Sequence, residues 1–299
     1  MMKNRIKNSK GDTVYYCISY TVVLILLLTV VYPLVYIVSA SFSSASAVAS
    51  GKVVLFPVEF STLSYQTVFK YKDVFTGYSN SLLYTAFGTL INVVVTLCCA
   101  YPLSRSNFQG RRVLTKVFTF CMIFSGGMIP SYLNMSRLGL LDSRWAMLLP
   151  GAMSVYNMIV AKTFIQNSIP KELLEASQID GCTDVAYFFK VVLPLSLPVI
   201  SVISLYYAVG HWNSYFNAFL YLQSKELYPL QLFLREVLIQ SNFDASMIID
   251  DAEIAMQRQG LQELIKYSII VVSTLPLLVL YPFVSKFFAK GVMIGSVKG

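Results

Sequence analysis

The chain has 299 residues, 56% of them hydrophobic and 13% charged, with a mean hydropathy of +0.63 and a formal net charge of +8. Soluble domains carry about 25% charged and roughly 45–50% apolar residues. These values exclude a disordered chain, a coiled coil and an ordinary cytosolic enzyme, and they predict a polytopic membrane protein.

The predicted elements follow from the spacing of charge. A spanning helix needs roughly 20 mainly apolar residues, and charge at the bilayer centre is costly. Six charge-free stretches approach or exceed that length: 13–51, 74–104, 117–136, 145–161, 191–224 and 267–285; the next longest, 60–69, has 10 residues. They predict an all-α membrane protein with six transmembrane helices, over roughly 14–39, 78–103, 114–133, 145–164, 191–209 and 265–284. A basic tail, 1–13, precedes the first, which is longer than the apolar core of about 7–15 residues in a signal peptide and reads as an uncleaved helix. Gly126-Gly127-Met128-Ile129-Pro130 falls late in the third span and should bend or end it. Leu193-Pro194 and Leu197-Pro198 open the fifth with breaks. A long external loop, 210–263, is rich in aromatics, and within it Leu230–Leu238 has helical apolar spacing. A last tail, 285–299, follows the sixth span.

Loops on alternate sides differ in charge. Segments 1–13, 104–116, 162–190 and 285–299 hold 14 Lys and Arg, against 9 on the opposite side. Cytoplasmic segments carry the Lys/Arg excess, so both termini are expected inside. The net positive charge is then a signal of topology rather than of nucleic-acid binding, because Arg111-Arg112 and Lys3-Arg5-Lys7 sit at span ends.

Little catalytic chemistry is present. There is one histidine, His211, no metal-ligand spacing and no phosphate-binding glycine loop. No span carries a ladder of Asp, Glu or Arg such as proton pumps and voltage sensors use. An integral-membrane lipid-modifying enzyme would need clustered catalytic groups that this chain does not offer. Asn92, Thr96, Asn157, Ser201 and Ser204 lie within spans. Two readings fit them, interhelical hydrogen bonding and the lining of a translocation path.

The inner loop 165–190 differs from the others. Pro170 suits a first helical turn, Glu172 the positive helix end, and Gly181 a left-handed stop. Leu173, Leu174 and Ser177 form a small, mainly apolar stripe, and Thr183 or Asp184 can cap a second helix through Phe188. The loop therefore reads as helix–turn–helix across the membrane face. Its first helix either docks in a partner's groove or packs on its own bundle.

The run Glu175-Ala176-Ser177, then Asp180-Gly181, Phe188 and Leu193-Pro194, resembles the EAA loop of permease subunits in ATP-binding-cassette importers. Ser177 replaces the second Ala of that pattern and Cys182 a usual Ala; both stay small. Phe124–Leu133, Leu138-Gly139-Leu140, Trp212–Tyr221 with Tyr228-Pro229-Leu230-Gln231, and the closing Lys290-Gly291 and Gly295–Gly299 resemble the polysaccharide-type branch of the maltose-importer-like permeases. The resemblance covers about 13–299 and implies the type I importer permease fold in a bacterial cell membrane.

That resemblance further implies a transport subunit rather than an enzyme. The chain would pair with a second permease unlike itself in sequence, with two ATPase subunits that hold ATP and Mg, and with an external sugar-binding protein. Glu172, Glu175, Ala176, Ser177, Asp180, Gly181 and Phe188 would couple to the ATPases. Sugars bind through aromatic faces and amides on apolar walls, which Trp212, Asn213, Tyr215, Phe216, Asn217 and Tyr221 offer outside the fifth span, with Asn92 deeper. An interfacial aromatic belt is the other reading of that cluster. A permease for peptides or amino acids would share the architecture.

Overall fold

The computed structural model describes residues 9–70, 72–243, 263–276, 278 and 279. All regular structure among them is helical. The tails 1–8 and 285–299, the segment 244–262 and the end of the predicted sixth span lie outside the described residues. The chain divides into two units, Met1–Lys70 with Val237–Val272, and Tyr71–Glu236 with Ser273–Gly299.

In the first unit, helix α1 runs Lys10–Ser41. At about 1.5 Å per residue it exceeds the roughly 30 Å of a hydrocarbon core. Its start is a reciprocal capping box, Ser9 with Asp12. Thr21 and Thr29 donate to the carbonyls of Cys17 and Ile25 in their own helix, so neither hydroxyl is unmet among apolar neighbours. Two short helices follow, α2 (Ala45–Ala49) and α3 (Leu63–Val68). A small core of Ala40, Ala47, Val48, Val53 and Leu264 gathers the unit. Glu59, at φ +52°, accepts hydrogen bonds from Ser44 and Ser46, which hold its carboxyl below the usual carboxylate range.

The second unit is built on α4 (Lys72–Ser104). It continues through α5 (Arg111–Ile123), α6 (Met128–Arg137), α7 (Trp145–Leu148), α8 (Val155–Ser168) and α9 (Lys171–Ile179). Helix α10 (Asp184–Leu195) widens by one residue per turn over Phe188–Val192, and α11 (Leu197–Trp212), α12 (Tyr215–Tyr221) and α13 (Leu230–Phe243) complete the order. Helices α8 and α11 pack along α4 around Leu97, Ala100, Met158, Ala161, Ile203 and Tyr207. Small residues at such contacts let backbones approach.

Among the described residues, helices α1 and α4 are each long and apolar enough to cross a membrane; α5 with α6 and α10 with α11 qualify as bent pairs, at 112° and 78°. The first bend falls at the predicted glycines, where Gly127 takes φ +89°. The second falls at Ser196, between the two Leu-Pro pairs. The predicted fourth span is not one continuous helix. Residues 149–154 interrupt it, with Gly151 at φ +71°, and α8 alone is about 21 Å long. The absence of charge over 145–161 marked apolar chain, and Pro150-Gly151 inside it broke the helix.

Gly88 of α4 faces the ring of His211 on α11, and a Cβ there would run into the imidazole. Gly88→Ala should therefore lower the unfolding midpoint of the purified protein, by about 1–3 kcal/mol of overpacking. Much of that loss should return in the double variant Gly88→Ala/His211→Ala, read by thermal unfolding of all four combinations.

Candidate functional site

The predicted helix–turn–helix of the inner loop forms. Pro170 (φ −59°, ψ 142°) ends the extended link from α8 and starts α9. At the other end Cys182 N donates to Ser177 O (2.9 Å) and Gly181 N to Gln178 O (3.1 Å), with Gly181 at φ +72°. This pair of bonds is a Schellman stop, and it needs a residue comfortable in the left-handed region. Thr183 then caps α10, its hydroxyl accepting from Ala186 N (3.3 Å).

No residue of α9 is buried. Leu173 is 41% exposed and Ile179 86%. Glu172, Glu175, Ala176 and Asp180 are exposed, while Leu174 and Ser177 are half-buried, the Ser177 hydroxyl donating to Leu174 O (2.7 Å). Of the predicted stripe, Leu174 packs on the chain's own core and Leu173 is left open.

Helix α10, by contrast, is fixed to the end of α4. Arg105 Nη2 lies 3.2 Å from Asp184 Oδ1. The Arg105 guanidinium sits 5.6 Å from the centres of both the Tyr101 and Tyr187 rings. Phe188 packs on Tyr101 with ring centroids 4.9 Å apart, and Tyr187 is buried. Local sequence gave no signal for Tyr101 and Arg105, because their partners lie some eighty residues away.

The seven residues predicted for the substrate path separate into two groups. Tyr215, Phe216 and Asn217 are exposed on α12, and Asn213 is exposed with its amide bonded to Val209 O (3.0 Å). Phe219, on the same helix, carries the Arg235 guanidinium 4.2 Å above its ring. Trp212, Tyr221 and Asn92 are buried. The Trp212 indole donates to Ser273 O (3.1 Å) and meets Tyr78 edge-on. Tyr221 stacks near Tyr132 within a core that includes Tyr84, Met147, Ala218 and Leu232. Asn92 Nδ2 lies 3.2 Å from His211 Nε2, while Asn92 Oδ1 and the hydroxyls of Thr85 and Thr89, on neighbouring turns of α4, have no hydrogen-bond partner among the described residues. Thr96 and Tyr207 share a 2.6 Å bond between α4 and α11, whereas Ser201 bonds its own helix at Leu197 O.

Residues with no sequence signal hold α12 in place. Asp142, at φ +53°, accepts from Gln223 N and Ser224 N (both 2.8 Å) and from the Ser224 hydroxyl (2.6 Å). Asn80 Nδ2 donates to the carbonyls of Glu226 and Tyr228, and the Tyr84 hydroxyl to Leu227 O. Among the described residues no cluster of His, Cys, Asp or Glu could hold a metal ion.

The chain belongs to the family of binding-protein-dependent transport system inner membrane components, whose pattern matches residues 2–294. It is 42% identical over 94% of its length to the polygalacturonan/rhamnogalacturonan transport system permease protein YtcP of Bacillus subtilis (strain 168), 96% of which is covered. It is 41% identical to protein LplC of the same organism, over 89% of each chain. A solved bacterial ABC transporter chain, involved in import of the acidic polysaccharide alginate, superposes with a TM-score of 0.86 at 33% identity, covering 95% of this chain and 100% of that one. The protein is therefore a transport subunit of a cell membrane, with the type I ABC permease fold.

Hydrogen bonds from the Ser224 side chain, then from the backbone at Ser224 and Gln223, hold the Asp142 carboxyl below its ordinary value of 3.8. A carboxyl depressed in the folded state stabilises above its unfolded pKa and loses that contribution as pH falls through the lower folded value. The unfolding midpoint should accordingly fall as pH drops below about 4, and Asp142→Asn should remove part of that slope in a pH series of thermal melts.

Proposed function

We propose that this chain forms one half of the translocation path of an ATP-driven importer for oligosaccharides derived from acidic polysaccharides. Six spans cross the membrane, α5–α6 and α10–α11 being bent ones and α7–α8 a broken one, with both termini cytoplasmic and residues 14–284 as the permease domain. A second, non-identical permease completes the path. Two cytoplasmic ATPases hold ATP and Mg, and an external binding protein delivers the sugar.

The observation that carries coupling is the contrast between α9 and α10. The first opens on Pro170 and closes on a Schellman stop yet has no buried residue, with Leu173 and Ile179 facing outward; the second is packed on α4 through Tyr101, Arg105 and Phe188. A helix so presented fits a partner's groove. Glu172, Glu175, Ala176, Ser177, Asp180 and Gly181 would form the docked surface, and Phe188 would pass its displacement to α4. ATP-driven movement of the docked helix then tilts packed helices as bodies.

Substrate meets the exposed strip of Asn213, Tyr215, Phe216 and Asn217, which combines ring faces with amides. Arg235 above Phe219 adds a cation suited to a uronate carboxylate. Trp212 and Tyr221 hold the strip from behind, and the unmet Asn92 Oδ1 offers an acceptor deeper along α4.

A Cβ at Gly181 meets nothing within 4 Å, so the left-handed backbone alone resists substitution. Gly181→Val should cost about 1 kcal/mol or more locally. It should also reduce uptake at least tenfold while membrane insertion persists, and deletion of 172–181 should abolish co-purification of the ATPase. Full uptake by Gly181→Val would remove α9 from this role. Arg235→Gln should slow uptake of oligogalacturonides more than of neutral oligosaccharides, measured with labelled sugars.

A further inference from the structure

A cavity of about 350 Å³ lies behind α9, bounded by the end of α4, the first turn of α5, the end of α8 and the start of α9. Its wall carries three cations, Arg105, Arg111 and Lys171, and none of its described lining residues is a carboxylate. Arg105 is already engaged by Asp184 and two tyrosine rings. Arg111 donates to Arg105 O (3.3 Å), and among the described residues neither Arg111 nor Lys171 joins an ion pair. The first turn of α9 has no side-chain cap, which leaves a positive helix end beside Lys171. The remaining wall includes Ile165, Ile169, Leu174 and Val192.

Unpaired cations next to an aliphatic wall, close to the end of the long apolar helix α4, match the chemistry of a lipid headgroup rather than of a soluble sugar. We propose that this cavity binds the phosphodiester of an acidic phospholipid from the adjoining leaflet, with the phosphate between Arg111 and Lys171 and the glycerol and upper acyl carbons against the aliphatic wall. Such a lipid bridges the starts of α5 and α9, so it braces the helix through which the ATPase acts. The binding itself follows from the cavity; only the choice of inner leaflet rests on the orientation proposed above.

The test uses the purified importer complex, with retained lipid counted by native mass spectrometry after exchange into phosphatidylglycerol or phosphatidylcholine. Phosphatidylglycerol should be retained preferentially. Arg111→Gln and Lys171→Gln should each weaken retention roughly fivefold. Arg112→Gln, an exposed neighbour that does not line the cavity, should leave it unchanged. Equal loss in all three variants would mean diffuse attraction to an anionic surface and would overturn the site. Equal retention of both lipids would do the same. Displacement of phosphatidylglycerol by soluble glycerol phosphate at equal concentration would overturn the lipid in favour of a free phosphate ester. Because the assay reads lipid and not transport, it can fail while the coupling role of α9 stands, and the reverse.

Discussion

The hydrocarbon core of a membrane contains no water, so every polar group carried into it must be met by protein. That constraint organises the second unit around α4. Thr96 finds Tyr207, whose hydroxyl also accepts from Ser154 N, and Asn92 finds His211. The Thr96 and Asn92 contacts join α4 to α11, the Ser154 bond ties α11 to the N-cap of α8, and each requires close helices. Gly88, Ala100 and Ala161 make that approach geometrically feasible. Where no neighbour is near, hydroxyls turn back on their own helix, as at Thr21, Thr29 and Ser201. Among the described residues five buried polar atoms are left unmet, and three of them, Asn92 Oδ1 with the Thr85 and Thr89 hydroxyls, share consecutive turns of α4. A buried unmet group costs about 1–3 kcal/mol, so their concentration on one stretch is consistent with a place where a polar solute passes.

How much of this could be read in the sequence depended on range. Features set by neighbours along the chain were legible. Pro170, Gly181 and Thr183 fix the limits of α9 and α10 through dihedral preference and capping alone. The bend at Gly126-Gly127 and the break at Ser196 follow from glycine and proline in the same way, and Leu230–Leu238 showed its helical period. The fourth span misled because charge spacing measures only what the bilayer tolerates; it does not see a Pro-Gly pair opening a helix. Contacts spanning long stretches of chain left no trace at all. Nothing around Asp142 announces that it clasps Gln223 and Ser224, and nothing around Gly88 announces an imidazole.

The proposed substrate residues show the same division. Composition located an aromatic and amide-rich segment at 212–221, but could not divide it. The structure separates Trp212 and Tyr221, whose faces are spent on packing, from Tyr215, Phe216 and Asn217, whose faces are open. A stacking residue must keep a ring face free, so burial decides which aromatic serves as framework and which can meet a sugar. Helical period explains the outcome: α12 buries Ala218 and Tyr221, three residues apart, against the core, and the turn before Ala218, Tyr215–Asn217, faces outward.

Magnitudes also decide how movement of α9 could reach the membrane helices. The Arg105–Asp184 pair is the obvious link, yet the Asp184 side chain is 69% exposed. Pairs of that kind contribute about 0–1 kcal/mol and weaken with salt. Aromatic contacts beside it are better shielded. Tyr187 is buried, Phe188 lies on Tyr101, and ring pairs add about 0.5–1.5 kcal/mol beyond the area they bury. Interdigitated rings also resist compression, whereas a single exposed ion pair can lengthen and exchange for water. The contact between α10 and α4 therefore rests mainly on Tyr101, Tyr187 and Phe188, with the Arg105 guanidinium beside the Tyr101 and Tyr187 rings adding less.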